Sequence, residues 1–390
     1  MFHRSRFLPL ICDIYILIWA VYCIHWYAIM PGSVVDSLSS ILLAVNLAIS
    51  FICLVLCQRT KLPILFKGIN ILIIFFFIYG IIPIIYGGEI YNKVEISPGA
   101  FLIGPLRSLL PIYAFYYFAT KDILTEKRIK IYFFCFLLLY LFFFVSFNNL
   151  RMAESSRDAF TNNLGYIFVS LLPFVLFFDK NLIIKYFLLF FILLVVVFSM
   201  KRGAILIGMI SLLYIIKKQW GQSSSKQKIW ISIVILAICY LIYHYTYSFF
   251  SQNEYFIMRI EDTLSGDSSG RDGITKDIFN YFYNEANFTQ MLFGGGADNS
   301  MYICDGYQAH NDWLEILANQ GIFGIIIYLS FWIISFKQVK RMRPGSIYRQ
   351  VLTLTLLGIF IKTFFSMSYA AFPTTYCFLI GYCLSRQYDV

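Results

Sequence analysis

Residues 308–329, QAHNDWLEILANQGIFGIIIYL, set four polar groups, His310, Asn311, Asp312 and Glu315, immediately ahead of an apolar helix. They close the only long polar stretch of the chain, and in both directions from it the sequence turns apolar. Of 390 residues 59% are hydrophobic and 13% charged, with a mean hydropathy of +0.72, which leaves too little polar surface for a soluble domain. The class is a polytopic membrane protein, all-α by necessity of satisfying its backbone in lipid. Chemistry is expected where the polar residues gather, and a histidine there is the one side chain that exchanges a proton near neutral pH.

Runs of mostly apolar residues near the ~20 needed to cross the hydrocarbon core recur along the whole length. The reading is about 12 transmembrane helices, at 7–29, 38–57, 68–86, 100–119, 131–147, 162–178, 186–200, 204–216, 229–247, 313–336, 351–371 and 372–384. It divides the chain into helices 1–9 (1–247), one large outer loop with an amphipathic helix (248–312) and helices 10–12 (313–390). The first span lacks a small-residue cleavage site, so it is expected to stay as an anchor.

Every second loop is basic: Arg4 and Arg6; Arg59, Lys61 and Lys67; Lys121, Lys127, Arg128 and Lys130; Lys180 and Lys185; Lys217, Lys218, Lys226 and Lys228; then Lys337, Lys340, Arg341, Arg343 and Arg349. Lysine and arginine hold short loops in the cytoplasm, so both termini are expected inside. The net charge of +10 then reports topology and not a nucleic-acid footprint. Eight of nine cysteines lie within or at the ends of spans, Cys304 alone in a loop. That pattern, with His3, His25, His244 and His310 scattered, gives no ligand spacing for a metal, and neither metal nor cofactor is expected.

A loop from about Ser248 to Asp312 is far longer than helix connections in a bundle require. Within it RDGITKDIFNYFY, from Arg271, spaces Ile274, Ile278 and Phe282 as the apolar side of a helix that would lie in the membrane interface. Gly294, Gly295 and Gly296 follow as a turn; GGGADNS lacks the Lys-Ser/Thr pair of a nucleotide loop. Basic residues on the outer side run against the topological bias: Lys93, Arg151, Arg157, Lys201, Arg202, Arg259, Arg271 and Lys276. Guanidinium forks match phosphate oxygens, so these cations are candidates for holding a phosphorylated lipid headgroup; the alternative is pairing with Glu154, Asp158, Glu261, Asp262 and Asp272. Lys201 and Arg202 stand in a hairpin too tight for a solvated loop, where an uncompensated charge is costly. Within spans, Arg107 between Pro105 and Pro111 would line the same cavity or pair with Asp13, and Lys362 is a further intramembrane charge.

Taken in order, MKRGAIL (200–206), Ser269 to Arg271, FGGG (293–296) and HNDWLEILANQGIFGIIIYL (310–329) resemble the shared domain of bacterial O-antigen polymerases and O-antigen ligases. The resemblance covers the second half of the chain; the first half shares only hydropathy. It implies an inner-membrane, metal-independent, inverting glycosyltransferase acting on undecaprenyl-diphosphate-linked oligosaccharides at the periplasmic face, in lipopolysaccharide biosynthesis. It implies as partners membrane lipid and a chain-length regulator protein. The family's site residues map onto Arg202, Arg271 and His310, with Lys201, Arg107, Arg157, Arg259 and Asn311 as substrate-binding candidates. Family ligases tend to show His-x-His-Asn, whereas Gln308 and Ala309 precede His310 and Asn311 here, which favours polymerase over ligase.

The chemistry follows independently of kinship. Nucleotide sugars are confined to the cytoplasm, so an outward-facing transferase needs a lipid-borne donor, and a diphosphate leaves without a general acid. The protein must grip that diphosphate, stabilise its developing charge and orient an acceptor hydroxyl, with His310 as the proton acceptor. The bland reading of His310 is that it merely introduces a helix capped by Asn311 or Asp312. A secondary transporter would show matching broken helices in two halves, and no internal repeat is visible. A flippase for lipid-linked sugars would line a passage through many spans with cations, where this chain gathers them in the outer loops.

Overall fold

A computed structural model describes residues 7–28, 37–86, 90–91, 94–95, 98–153, 164–199, 201–250, 270–367 and 374–387. Apart from one two-residue hairpin ladder, Ile90–Tyr91 against Val94–Glu95, their regular structure is helical. The first half comprises α1 (Phe7–Ala28), α2 (Ser37–Cys57), α3 (Ile64–Tyr86), α4 (Pro98–Leu109), α5 (Pro111–Thr120), α6 (Glu126–Ala153), α7 (Leu164–Val169) and a 3-10 segment (Leu172–Phe178). The second comprises α8 (Leu182–Phe198), α9 (Arg202–Gln222), α10 (Ser225–Phe250), α11 (Arg271–Asn280), α12 (Phe288–Phe293), α13 (Asn299–Ile303), α14 (Asp312–Arg341), α15 (Ile347–Lys362) and α16 (Thr374–Ser385). Among the described residues four helices are long and apolar enough to cross a bilayer, at Leu38–Cys57, Glu126–Val145, Arg202–Gly221 and Asp312–Arg341, and shorter apolar helices accompany them. The protein is therefore a multi-pass, all-helical membrane protein; the count of twelve spans remains an expectation from hydropathy.

Helix α1 shows how the bundle meets lipid. Phe7, Leu10, Ile14, Leu17 and Val21 recur at helical spacing and stay exposed, while Cys12, Tyr15, Ile16, Trp19 and Tyr22 are buried against the bundle. An apolar stripe left outside is stable only where the solvent is hydrocarbon. The centre is α5 and α16, both buried almost all round. They approach closely because Gly381 has no side chain: a Cβ there would lie 2.7 Å from the Ile112 carbonyl oxygen.

Three expected spans are interrupted. Pro111 has no N–H to give the preceding turn, so the fourth breaks into α4 and α5 at Leu110. The sixth becomes α7 and the 3-10 segment, with Pro173 at the junction. The late span 313–336 is also two helices in one: Gly321, at φ 64° and ψ −161°, breaks α14 in a conformation open essentially to glycine alone. The carbonyls that this break frees, Ala318 and Asn319, accept bonds from Gly295 N and Gly296 N, each at 3.0 Å. The glycine triplet is thus a cap for a broken helix as well as a turn.

The amphipathic segment beginning at Arg271 is helical as expected, yet its apolar side is already covered. Ile278 is buried with Cys304, Ala309 and Ala318, and Ile274, Leu314 and Leu317 pack around them. This corrects the expectation that α11 lies in the membrane interface: periodicity reveals an apolar face but not what covers it.

Candidate functional site

The loop 304–311 delivers His310 to the start of α14. Asp305, Gly306 and His310 all have positive φ, a turn-rich path that ends at Asn311, which is extended. The Asn311 side chain accepts hydrogen bonds from Trp313 N at 2.9 Å and Leu314 N at 3.3 Å, so Asn311 is the N-cap. Its amide also donates to the Phe364 carbonyl at 3.3 Å. Capping thus falls to Asn311, and the exposed His310 imidazole has no part in it.

A buried carboxylate fixes this turn. Glu315 Oε1 accepts from Ser300 Oγ at 2.5 Å and Asn319 Nδ2 at 3.1 Å, and its Oε2 accepts from Ala309 N at 2.9 Å. Asn319 Oδ1 accepts in turn from Ser300 N, and Asn299 Nδ2 donates to the Ala318 carbonyl, each at 3.0 Å. One side chain on α14 therefore ties α13 to the residue directly before His310. Cys304, the loop cysteine, is packed inside; burial first, then Asp277, Glu315 and Asp305, push its thiol up to about 12.

Around His310 the fold assembles positive charge from separate elements. Lys201 is the half-buried residue before α9, and Arg202 opens the helix as an exposed side chain. Their position depends on Gly203: a Cβ there would lie 2.2 Å from the Tyr166 hydroxyl and 2.9 Å from Phe365, so α9 begins pressed against α7. Arg271 opens α11 directly after Gly270 at φ 80°. His310 keeps an exposed edge, yet the solvent that it does lose holds the imidazole pKa below its ordinary value of 6.5, and the charges of Arg271 and then Lys201 push it further down. The histidine is therefore uncharged at neutral pH.

Two residues complete the cluster. Lys362, buried at the end of α15, stands 5.3 Å from the Tyr166 ring centre, where Arg271 also acts. It is attracted by Asp312 and repelled by Lys201. Asp312 is fully buried; its Oδ2 accepts from Tyr328 Oη at 2.6 Å and its backbone N donates to the Thr363 carbonyl at 2.8 Å. Lys201, Arg271, His310, Asp312, Lys362 and Tyr166 thus form one electrostatic neighbourhood at one end of the bundle.

The remaining expected residues fall elsewhere. Arg107 Nη1 donates to Tyr22 Oη at 3.2 Å, while Asp13 pairs with Arg128 at 3.4 Å and takes a hydrogen bond from Tyr132. Arg157 and Arg259 lie outside the described residues. Among the described residues no group of three or more His, Cys, Asp or Glu is arranged to hold a metal. Sequence reasoning singled out Lys362 only as an intramembrane charge and missed Tyr166, one of 29 tyrosines, which carried no signal of its own.

A helical membrane protein with cations gathered at one end of its bundle, around an uncharged histidine, is the class that fold and cluster define. Residues 187–329 match the family model described as O-antigen ligase. The matched segment contains Lys201, Arg202, Arg271, His310 and Asp312; Tyr166 and Lys362 come from outside it. No curated protein sequence matches the chain.

Proposed function

We propose that this protein is a polymerase of O-antigen or a related surface polysaccharide, joining undecaprenyl-diphosphate-linked repeat units on the periplasmic face of the bacterial inner membrane. The observation that carries the reading is His310 set near Lys201 and Arg271 within a segment matching the family model described as O-antigen ligase. In this reading Arg271, Arg202 and Lys201 grip the diphosphate of the donor. The acceptor hydroxyl attacks the anomeric carbon from the opposite face, giving inversion. As its oxygen bonds to that carbon, its proton passes to a His310 ring nitrogen. The bond from the anomeric carbon to the diphosphate oxygen breaks with its electron pair, and undecaprenyl diphosphate departs. Asn311, its carboxamide oxygen committed to the helix cap and one amide hydrogen to the Phe364 carbonyl, reaches substrate through its other amide hydrogen.

Transfer of the glycan to lipid A-core is the second reading, favoured by the matched description itself. Purified protein in detergent, given lipid-linked repeat units alone, is expected to produce a ladder of longer chains. A product that appears only with lipid A-core, as a shifted core band, would make the protein a ligase. Activity demanding a sealed membrane would point to a flippase and reject both.

A further inference from the structure

The large loop carries exposed aromatics that the site does not use. From Asn280 to Phe293 the chain has one charged residue, Glu285, and five aromatics, Tyr281, Phe282, Tyr283, Phe288 and Phe293. On α12, Phe288 is 75% exposed and Phe293 47% exposed. Water would leave such rings costly on a short, isolated helix, so what covers them has to be asked.

The surrounding geometry answers. The Phe293 ring lies 5.9 Å from Phe323, which is itself 46% exposed on the span face of α14 beside Ile322 and Ile326. Phe323 meets Phe75 on α3 at 6.0 Å, and Phe75 meets Tyr79 at 4.7 Å, whose hydroxyl donates to the Phe293 carbonyl at 3.0 Å. The lipid-facing surface of two spans therefore runs without interruption onto α12.

Depth is fixed by the charges at the other end. Lys337, Lys340 and Arg341 mark the basic boundary of α14, and Ile64 N donates to Gln338 Oε1 at 3.0 Å, setting α3 antiparallel in matching register. From Lys340 back to Gly321 the helix rises about 28 Å at 1.5 Å per residue, close to the ~30 Å of hydrocarbon. Gly294 to Gly296 clamp α12 at the level of Gly321. Its rings thus sit where the headgroups begin, the depth that aromatic side chains prefer.

We propose that α12 is seated in the headgroup layer of the outer leaflet, with Phe288 and Phe293 inserted among phospholipids. The partner is the lipid surface. This anchoring pins the glycine clamp, the break at Gly321 and so the turn bearing His310 at the height of lipid phosphates. It takes over the interfacial role that periodicity suggested for α11.

The test places the photoreactive p-benzoyl-phenylalanine at single positions of the full-length protein in vesicles containing alkyne-tagged phosphatidylethanolamine. Ile326, on the span, is the lipid-facing reference, and Asp277, on the exposed side of α11, the water-facing one. Adducts at positions 288 and 293 are expected within about twofold of the yield at 326 and roughly tenfold above that at 277, as for residues at membrane depth. Yields at the level of 277, or adducts to protein in place of lipid, would overturn the proposal. Should the position 293 variant fail to accumulate, position 288, far more exposed, decides alone.

Discussion

Glu315 is the residue whose removal should say most about how the site is held. Ala309 N–H and Asn319 Nδ2–H can only donate, so replacing Glu315 by Ala leaves both, with the Ser300 hydroxyl, buried and without an acceptor. At about 1–3 kcal/mol for each orphaned group, and with the hydroxyl free to turn, the loss is roughly 3–6 kcal/mol. Glu315→Gln is milder, about 1–3 kcal/mol, because its carbonyl can still serve Ala309 while its amide faces the Ser300 oxygen. The Ala309 bond, taken at about 2 kcal/mol, translates into roughly 30-fold more frequent opening of the turn before His310. Hydrogen exchange of a peptide spanning 304–312 reads that opening, and chain-extension yield in detergent reads its consequence. Expected are faster exchange and loss of product in Glu315→Ala, with Glu315→Gln intermediate in both. Unchanged exchange in Glu315→Ala, or activity equal to the parent protein, would refute the claim that this carboxylate positions the histidine.

Because the His310 pKa lies below 6.5, the base form persists at neutral pH and activity should fail only as pH drops beneath that value; Arg271→Gln removes a depressing charge and should move the acid limb of the kcat/KM profile to higher pH. Removing Lys362 alone, as Lys362→Met, strands the buried Asp312 and should cost about 3–5 kcal/mol, whereas Lys362→Met with Asp312→Asn should recover most of it in thermal unfolding measurements. Gly321→Ala puts a Cβ 2.6 Å from the Gly294 nitrogen at positive φ, so folded protein should fall by a strain of about 1–3 kcal/mol plus the clash, read as lost monodispersity in detergent. Arg107→Ala, with insertion verified, should abolish polymer formation if that guanidinium reaches the donor; full activity would confine it to its bond with Tyr22.

What could be read before the fold was known follows a physical line. Hydropathy marks which segments leave water, so the class and the approximate places of the helices were legible, while Pro111 stood inside a span read as continuous. The break at Gly321 was not legible, since a glycine in an apolar run looks the same whether the helix passes straight through it or stops. Lys201 and Arg271 stood out because charge against a topological bias is a signal that survives without neighbours, and His310 because it stands in the polar stretch before the late span. Tyr166 was not legible, and Glu315 was named only as one of four polar groups ahead of the helix, because each matters through what it touches: a ring under Lys362, and three donors from three segments. Asn311 was read as facing substrate, and the folded chain shows how much of its side chain capping consumes.

Cations from the start of α9, from α11 and from α15 repel one another, and the buried carboxylate of Asp312 draws Lys362. Bringing them together at a membrane surface is unfavourable unless an anion shares the space. Loss of solvent and then the charges of Arg271 and Lys201 hold the His310 pKa down, and in the proposed function the same cations bind the donor diphosphate. Once an anion binds, its charge offsets Arg271 and Lys201, and the imidazole becomes a stronger base at the moment an acceptor hydroxyl needs one. The acid limb of kcat should accordingly lie at higher pH than that of kcat/KM, since the first reports the occupied site and the second the empty one. Coincident limbs in the parent protein would mean that the cations and the histidine do not share a substrate, and the case for one catalytic centre would fail.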